Sequence, residues 1–136
     1  MKTQIPNTDA EVITVAHLNM DIFRRIAPNI DTDEVVITGK QVEHITYRHP
    51  GDYEKYQNYI PQIIEEPDYV FRDAKPATAI VIRSFVEEGQ SFELVVRLHL
   101  PSDPEGFKNS VITFLRTKEK RIGQYVRNRE IVYRRE

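Results

Sequence analysis

Apolar and polar positions alternate along this chain with two different periods, and the switch between them divides it. Val12-Ile13-Thr14-Val15 reads as a short strand. Asp21-Ile22-Phe23-Arg24-Arg25-Ile26 then gives an amphipathic helical turn, stopped by Pro28. Val35-Val36-Ile37-Thr38 is a second strand. Thr38 also has the chemistry of an N-cap for a helix from Gly39 to Arg48, which His49-Pro50-Gly51 terminates. Tyr53, Tyr56, Ile60, Ile63 and Ile64 keep helical spacing from Asp52 to Glu66, with Pro61 interrupting or restarting the helix and Pro67-Asp68 closing it. From Tyr69 onward the period falls to two. β-Branched and aromatic runs at 69–72, 78–86, 90–100 and 110–117 are separated by turn-forming segments. A basic helix over Glu119 to Asn128 and a short strand over Ile131 to Tyr133 complete the pattern.

Helices first and strands second predict an α+β domain: N-terminal helices packed on one face of a four-stranded antiparallel meander sheet, with the other face partly open. A length of 136 residues fits a single domain over 1–136. Residues 1–10 read as a loose arm, 35–117 as the core and 118–136 as a basic tail. The 40% hydrophobic and 29% charged content is that of a globular chain. No apolar run approaches the ~18 residues of a membrane span, and the first residues do not read as a secretory signal. A cytoplasmic protein without membrane contact is therefore the default expectation. With no cysteine, thiolate metal sites and thiol nucleophiles are excluded.

Charge adds an asymmetry. Residues 1–76 carry 8 Lys/Arg against 13 Asp/Glu, whereas Phe107 to Glu136 carry 9 against 3. A basic third on a net −2 chain suits a phosphate-binding surface. On the 90–100 strand the apolar set Phe92, Leu94, Val96, Leu98 and Leu100 should face the core. Glu93, Arg97 and His99 would then share the opposite face. Arg83 and the Ser110, Thr113 and Arg116 strand could converge there if register allows. On the 39–48 helix, Lys40, His44 and Arg48 repeat every four residues and share a face. His44, His49 and His99 do not read as a metal site, because the spacing of the first two puts them on different helical faces. The chain also lacks phosphate-loop, dinucleotide and nucleophile-elbow motifs.

The run Thr38, His44-Ile45, Arg48-His49-Pro50, followed by Tyr59-Ile60-Pro61-Gln62-Ile63-Ile64-Glu65-Glu66-Pro67-Asp68 and later by Arg97-x-His99 and a Ser/Thr strand, resembles the phage-associated nuclease-like domains of the barnase–EndoU–colicin–RelE superfamily. The resemblance spans roughly residues 35–117. It implies a sheet whose open face binds RNA, and an endoribonuclease of a prophage or mobile element that cleaves without metal or cofactor. It gives His44 and His99 the acid and base work. Arg97 and Arg83 would clamp the phosphate, and Ser110 or Thr113 would hydrogen-bond it. Lys40, Arg48, His49, Arg116, Lys118, Lys120 and Arg121 would bind the flanking backbone. The expected partners are RNA and a cognate inhibitor protein, with the oligomeric state left open. The alternative is a non-catalytic nucleic-acid- or protein-binding module of the same fold.

Overall fold

The computed structural model of the chain describes residues 11–136; the expected N-terminal arm lies outside them. In chain order the elements are β1 (Val12–His17), α1 (Met20–Phe23), β2 (Glu34–Thr38), α2 (Gly39–Arg48), α3 (Asp52–Tyr56), α4 (Ile60–Glu65), β3 (Tyr69–Arg72), β4 (Thr78–Phe85), β5 (Gln90–Arg97), β6 (Asn109–Thr117), α5 (Glu119–Asn128) and β7 (Ile131–Arg134). The α+β class holds, but the sheet is wider than expected. It has seven strands in the order β1-β2-β6-β5-β4-β3-β7 and is mixed, because β2 runs parallel to β6. The four expected strands β3 to β6 form its consecutive antiparallel centre. The β1–β2 pair extends one edge and β7 extends the other. The segment read as a basic tail is therefore a structural part of the sheet and its cover.

Strand parity decides which residues meet. Phe92, Leu94 and Val96 of β5 are fully buried on the face that carries α1 to α4, in one core with Phe23, Ile45, Ile63, Val81 and Phe114. Each such side chain contributes about 1.5–3 kcal/mol by leaving water. Alternate residues point to the other face. There Phe71, Ile80 and Ile82 form a smaller cluster beneath Ile122 and Tyr125 of α5. That second face is covered in part, by α5.

Two local features place the residues of interest. The β2–β6 pairing is confined to Val35–Asn109 and Val36–Ser110. Beyond Val36 the strands part, and α2 packs beside the remainder of β6. Thr38 starts α2 with a reciprocal capping box: its hydroxyl accepts from the Gln41 amide at 3.2 Å, and the Gln41 side chain accepts from the Thr38 amide at 3.0 Å. With Val42 and Ile45 buried, His44 and Arg48 are turned outward along the sheet edge.

A candidate active-site cleft between α2, β5, β6 and α5

A cleft of about 330 Å³ opens where α2 flanks the second sheet face. One wall is α2, with His44 and Arg48 exposed and His49 partly so. The floor is Thr113 and Leu115 of β6 with Glu93 of β5, and Arg121 of α5 closes the far side. Glu93 pairs with Leu115 across the strands, and Val95 with Thr113, so the floor residues lie on neighbouring rungs.

His49 joins His44 in this cleft because it is the C-cap of α2, at φ −135 and ψ 73. The helical spacing argument that put the two imidazoles on different faces stops applying at the residue where the helix ends.

Glu93 is the electrostatic centre of the floor. Its side chain is 3% exposed, and both oxygens accept from Arg121: Oε1 from Nε at 2.7 Å and Oε2 from Nη2 at 3.2 Å. Tyr125 donates its hydroxyl to Oε2 at 2.8 Å. The guanidinium is held still more firmly protonated by these bonds, and burial together with the bond to Glu93 pushes the Tyr125 hydroxyl up to about 12. Arg121 and Tyr125 stand one turn apart on α5, and the guanidinium lies 5.3 Å from that ring. A carboxylate accepting three such bonds is committed to holding them, so Glu93 positions Arg121, which remains 52% exposed toward the cleft.

The structure brings together His44, Arg48, His49, Thr113 and Arg121, but not the rest of the expected site. His99 lies past the end of β5, where strand alternation no longer sets its direction. Its ring is buried, with Nδ1 2.8 Å from Asp31 Oδ1 and Nε2 3.0 Å from the Pro104 carbonyl. An acceptor facing each nitrogen favours the protonated ring, and its pKa is raised chiefly by the hydrogen bond to Asp31. Engaged at both ring nitrogens beside the 101–108 loop, it is not free to act as a base paired with His44. Arg97 bonds the Leu98 carbonyl and Asp103 near that loop, and Ser110 pairs with it in register. Arg97 is about 13 Å along β5 from Glu93 at strand rise.

Arg83 pairs with core-facing Phe92, so it lies on the helix-bearing face opposite Glu93, where its side chain bonds the Glu66 carbonyl. Arg116 has the same parity and is ion-paired with Asp52 at 2.8 Å. Lys118 lines a separate hollow near Ser84 and Gly89, Lys120 is exposed on α5, and Lys40 is exposed on the first turn of α2. Among the described residues, no cluster of three His, Asp or Glu side chains is arranged to hold a metal ion. No helix among them is long and apolar enough to cross a membrane.

Two contributors were not among the expected site residues. Glu93 was signalled by being a charged residue at the middle of a central strand. Tyr125 was signalled only by its four-residue spacing from Arg121.

Compared with protein-family profiles, residues 17–134 match the family described as phage-Barnase-EndoU-ColicinE5/D-RelE like nuclease2. The match extends past residues 35–117 and takes in α5, which supplies Arg121 and Tyr125. No curated protein and no solved structure matches the chain.

Proposed function

Since the chain belongs to the phage-Barnase-EndoU-ColicinE5/D-RelE like nuclease family and is a nuclease-type domain, we propose that it is a metal-independent endoribonuclease of a phage or other mobile element, working in the α2–β6–α5 cleft. The observation that carries this reading is the convergence there of two imidazoles, His44 and His49, with two guanidiniums, Arg48 and Arg121, and the Thr113 hydroxyl.

These groups match what phosphodiester transfer to a neighbouring hydroxyl requires. One imidazole takes the proton from the ribose 2′-hydroxyl as its oxygen bonds to phosphorus. The bond from phosphorus to the 5′-oxygen breaks, and the second imidazole, as imidazolium, returns a proton to that leaving oxygen. The products are a 2′,3′-cyclic phosphate and a free 5′-hydroxyl. Arg48 and the fork of Arg121 meet the added negative charge on the pentavalent phosphate, with Thr113 donating to a phosphate oxygen. Glu93 and Tyr125 keep Arg121 aimed at that position without touching substrate. Choice of RNA over DNA follows from the need for the 2′-hydroxyl.

The test is cleavage of varied RNAs in EDTA, with the ends identified chemically. The expected result is cyclic phosphate ends, uncut DNA, and losses of about 100-fold or more in His44→Ala and in His49→Ala. Intact RNA bound in a salt-sensitive way would point instead to a binding module. Full rates in both variants would overturn the assignment of the two histidines.

A further inference from the structure

Three hydroxyls stand in one row on the second sheet face, outside the cleft. Ser84, Ser91 and Thr117 pair across β4, β5 and β6 on a single rung. By strand alternation they share the face of the next rung but one, Ile82, Glu93 and Leu115. The row lines a hollow of about 390 Å³ together with Lys118, Glu119 and Gln90. Glu93 and Leu115 line the cleft, whereas Ser91 and Thr117 line the hollow. Cleft and hollow thus lie one same-face step apart on both strands, about 7 Å at strand rise.

This hollow holds more donors than it uses. Ser84 and Ser91 share one hydrogen bond at 2.7 Å, which consumes one of their two hydroxyl protons. Thr117 Oγ1 is closed off from water and has no partner, a costly condition for a hydroxyl. Lys118 is exposed, and among the described residues no carboxylate pairs with it. α5 begins at the same place with no side-chain cap, so its leading amides also lack a side-chain acceptor. Glu119 is the one anionic side chain lining the hollow, and it is exposed to solvent. An ammonium, two unspent hydroxyl protons and uncapped amides suit an anion with several oxygens.

We propose that the Ser84–Ser91–Thr117 row and Lys118 form a second phosphate site, which takes the backbone phosphate next to the scissile one. The inference rests on the ribonuclease reading and deepens it, because it gives the direction in which the substrate leaves the cleft: along β6, from Leu115 toward Thr117 and the start of α5. A turn about its Cα–Cβ bond gives the Thr117 hydroxyl a phosphate oxygen in place of no partner at all. The cost of the unpaired hydroxyl is then relieved only when substrate is bound.

The experiment titrates the full chain by calorimetry with a 2′-O-methyl RNA dinucleotide, which lacks the attacking hydroxyl, and with the same dinucleotide carrying a 5′- or a 3′-terminal phosphate. In the wild type one of the terminal phosphates is expected to tighten binding about tenfold. Lys118→Ala and Thr117→Val should each lose most of that gain while binding the plain dinucleotide as before. Thr117→Val should also melt about 4 °C higher, because a methyl replaces a hydroxyl that had no partner. No gain from either terminal phosphate, or a full gain in both variants, would overturn the second site and leave the cleft standing. Equal losses on the plain dinucleotide, or a lower melting temperature in Thr117→Val, would also overturn it. Inorganic phosphate bound as tightly as the phosphorylated dinucleotide would make the hollow a site for a free anion and break its link to the substrate. A chain that binds no dinucleotide and cuts no RNA would overturn both readings.

Discussion

The Glu93–Arg121 pair is unequally buried, and that inequality predicts which half is costlier to remove. Arg121→Ala leaves a carboxylate that is 3% exposed with Tyr125 as its remaining side-chain donor. Orphaning one member of a buried pair costs about 3–5 kcal/mol, and the adjoining cleft admits water, so about 3 kcal/mol is expected. Glu93→Ala leaves a guanidinium that is already 52% exposed and can be solvated. The loss is then about 2 kcal/mol, from the charge-assisted bonds and the stranded Tyr125 hydroxyl. Urea unfolding followed by circular dichroism measures both. With a slope of about 1.5 kcal/mol/M, the midpoint falls by about 2 M for Arg121→Ala and about 1.3 M for Glu93→Ala. The double variant should lose less than the sum of the two, with a coupling of about 1–2 kcal/mol. A larger loss in Glu93→Ala, or strictly additive losses, would refute the view that Glu93 is a buried anchor whose charge Arg121 neutralises.

Other consequences follow from the residues around the 101–108 loop. The pKa of His99 is raised above its ordinary 6.5 by Asp31. A group protonated more readily folded than unfolded adds stability that is fully present below about pH 6.5 and fades as pH rises through the folded value. Asp31→Asn should therefore destabilise by about 1 kcal/mol at mildly acidic pH, with the gap to wild type closing at alkaline pH in thermal melts; a gap that widens with pH would contradict the imidazolium. Asn109 is fully buried, accepts from the His99 amide at 2.8 Å and donates to the Thr32 and Glu34 carbonyls at 2.7 and 3.0 Å. Asn109→Ala should cost about 3 kcal/mol in urea unfolding, and a loss below about 1 kcal/mol would show that water replaces those bonds.

Individual elements were legible because each rests on local chemistry. The Thr38 cap, the buried Val42 and Ile45 of α2, and the alternation of Phe92, Leu94 and Val96 are all properties of short segments. The site was legible only in part, because it depends on relations between segments. Alternation told that Arg83 and Glu93 each lie on one face of a strand, but only the pairing of Arg83 with Phe92 shows that these faces are opposite. The same rule, extended two residues beyond the end of β5, misplaced His99. Helical spacing, extended to the cap, wrongly separated His49 from His44. The extra strands β1, β2 and β7 were visible as short apolar runs, but nothing in a run of four to six residues states which edge it joins.

The two rungs that join β2 to β6 are only part of what holds the cleft together. One bank is carried by the hairpin that leads into α2, while the opposite bank belongs to the central strands and to α5. The α2 bank is also fastened by Val42 and Ile45 in the common core and by the packing of α2 along β6. Both banks are therefore fixed parts of one body, and the core, rather than a pivot at the short pairing, sets the gap between them.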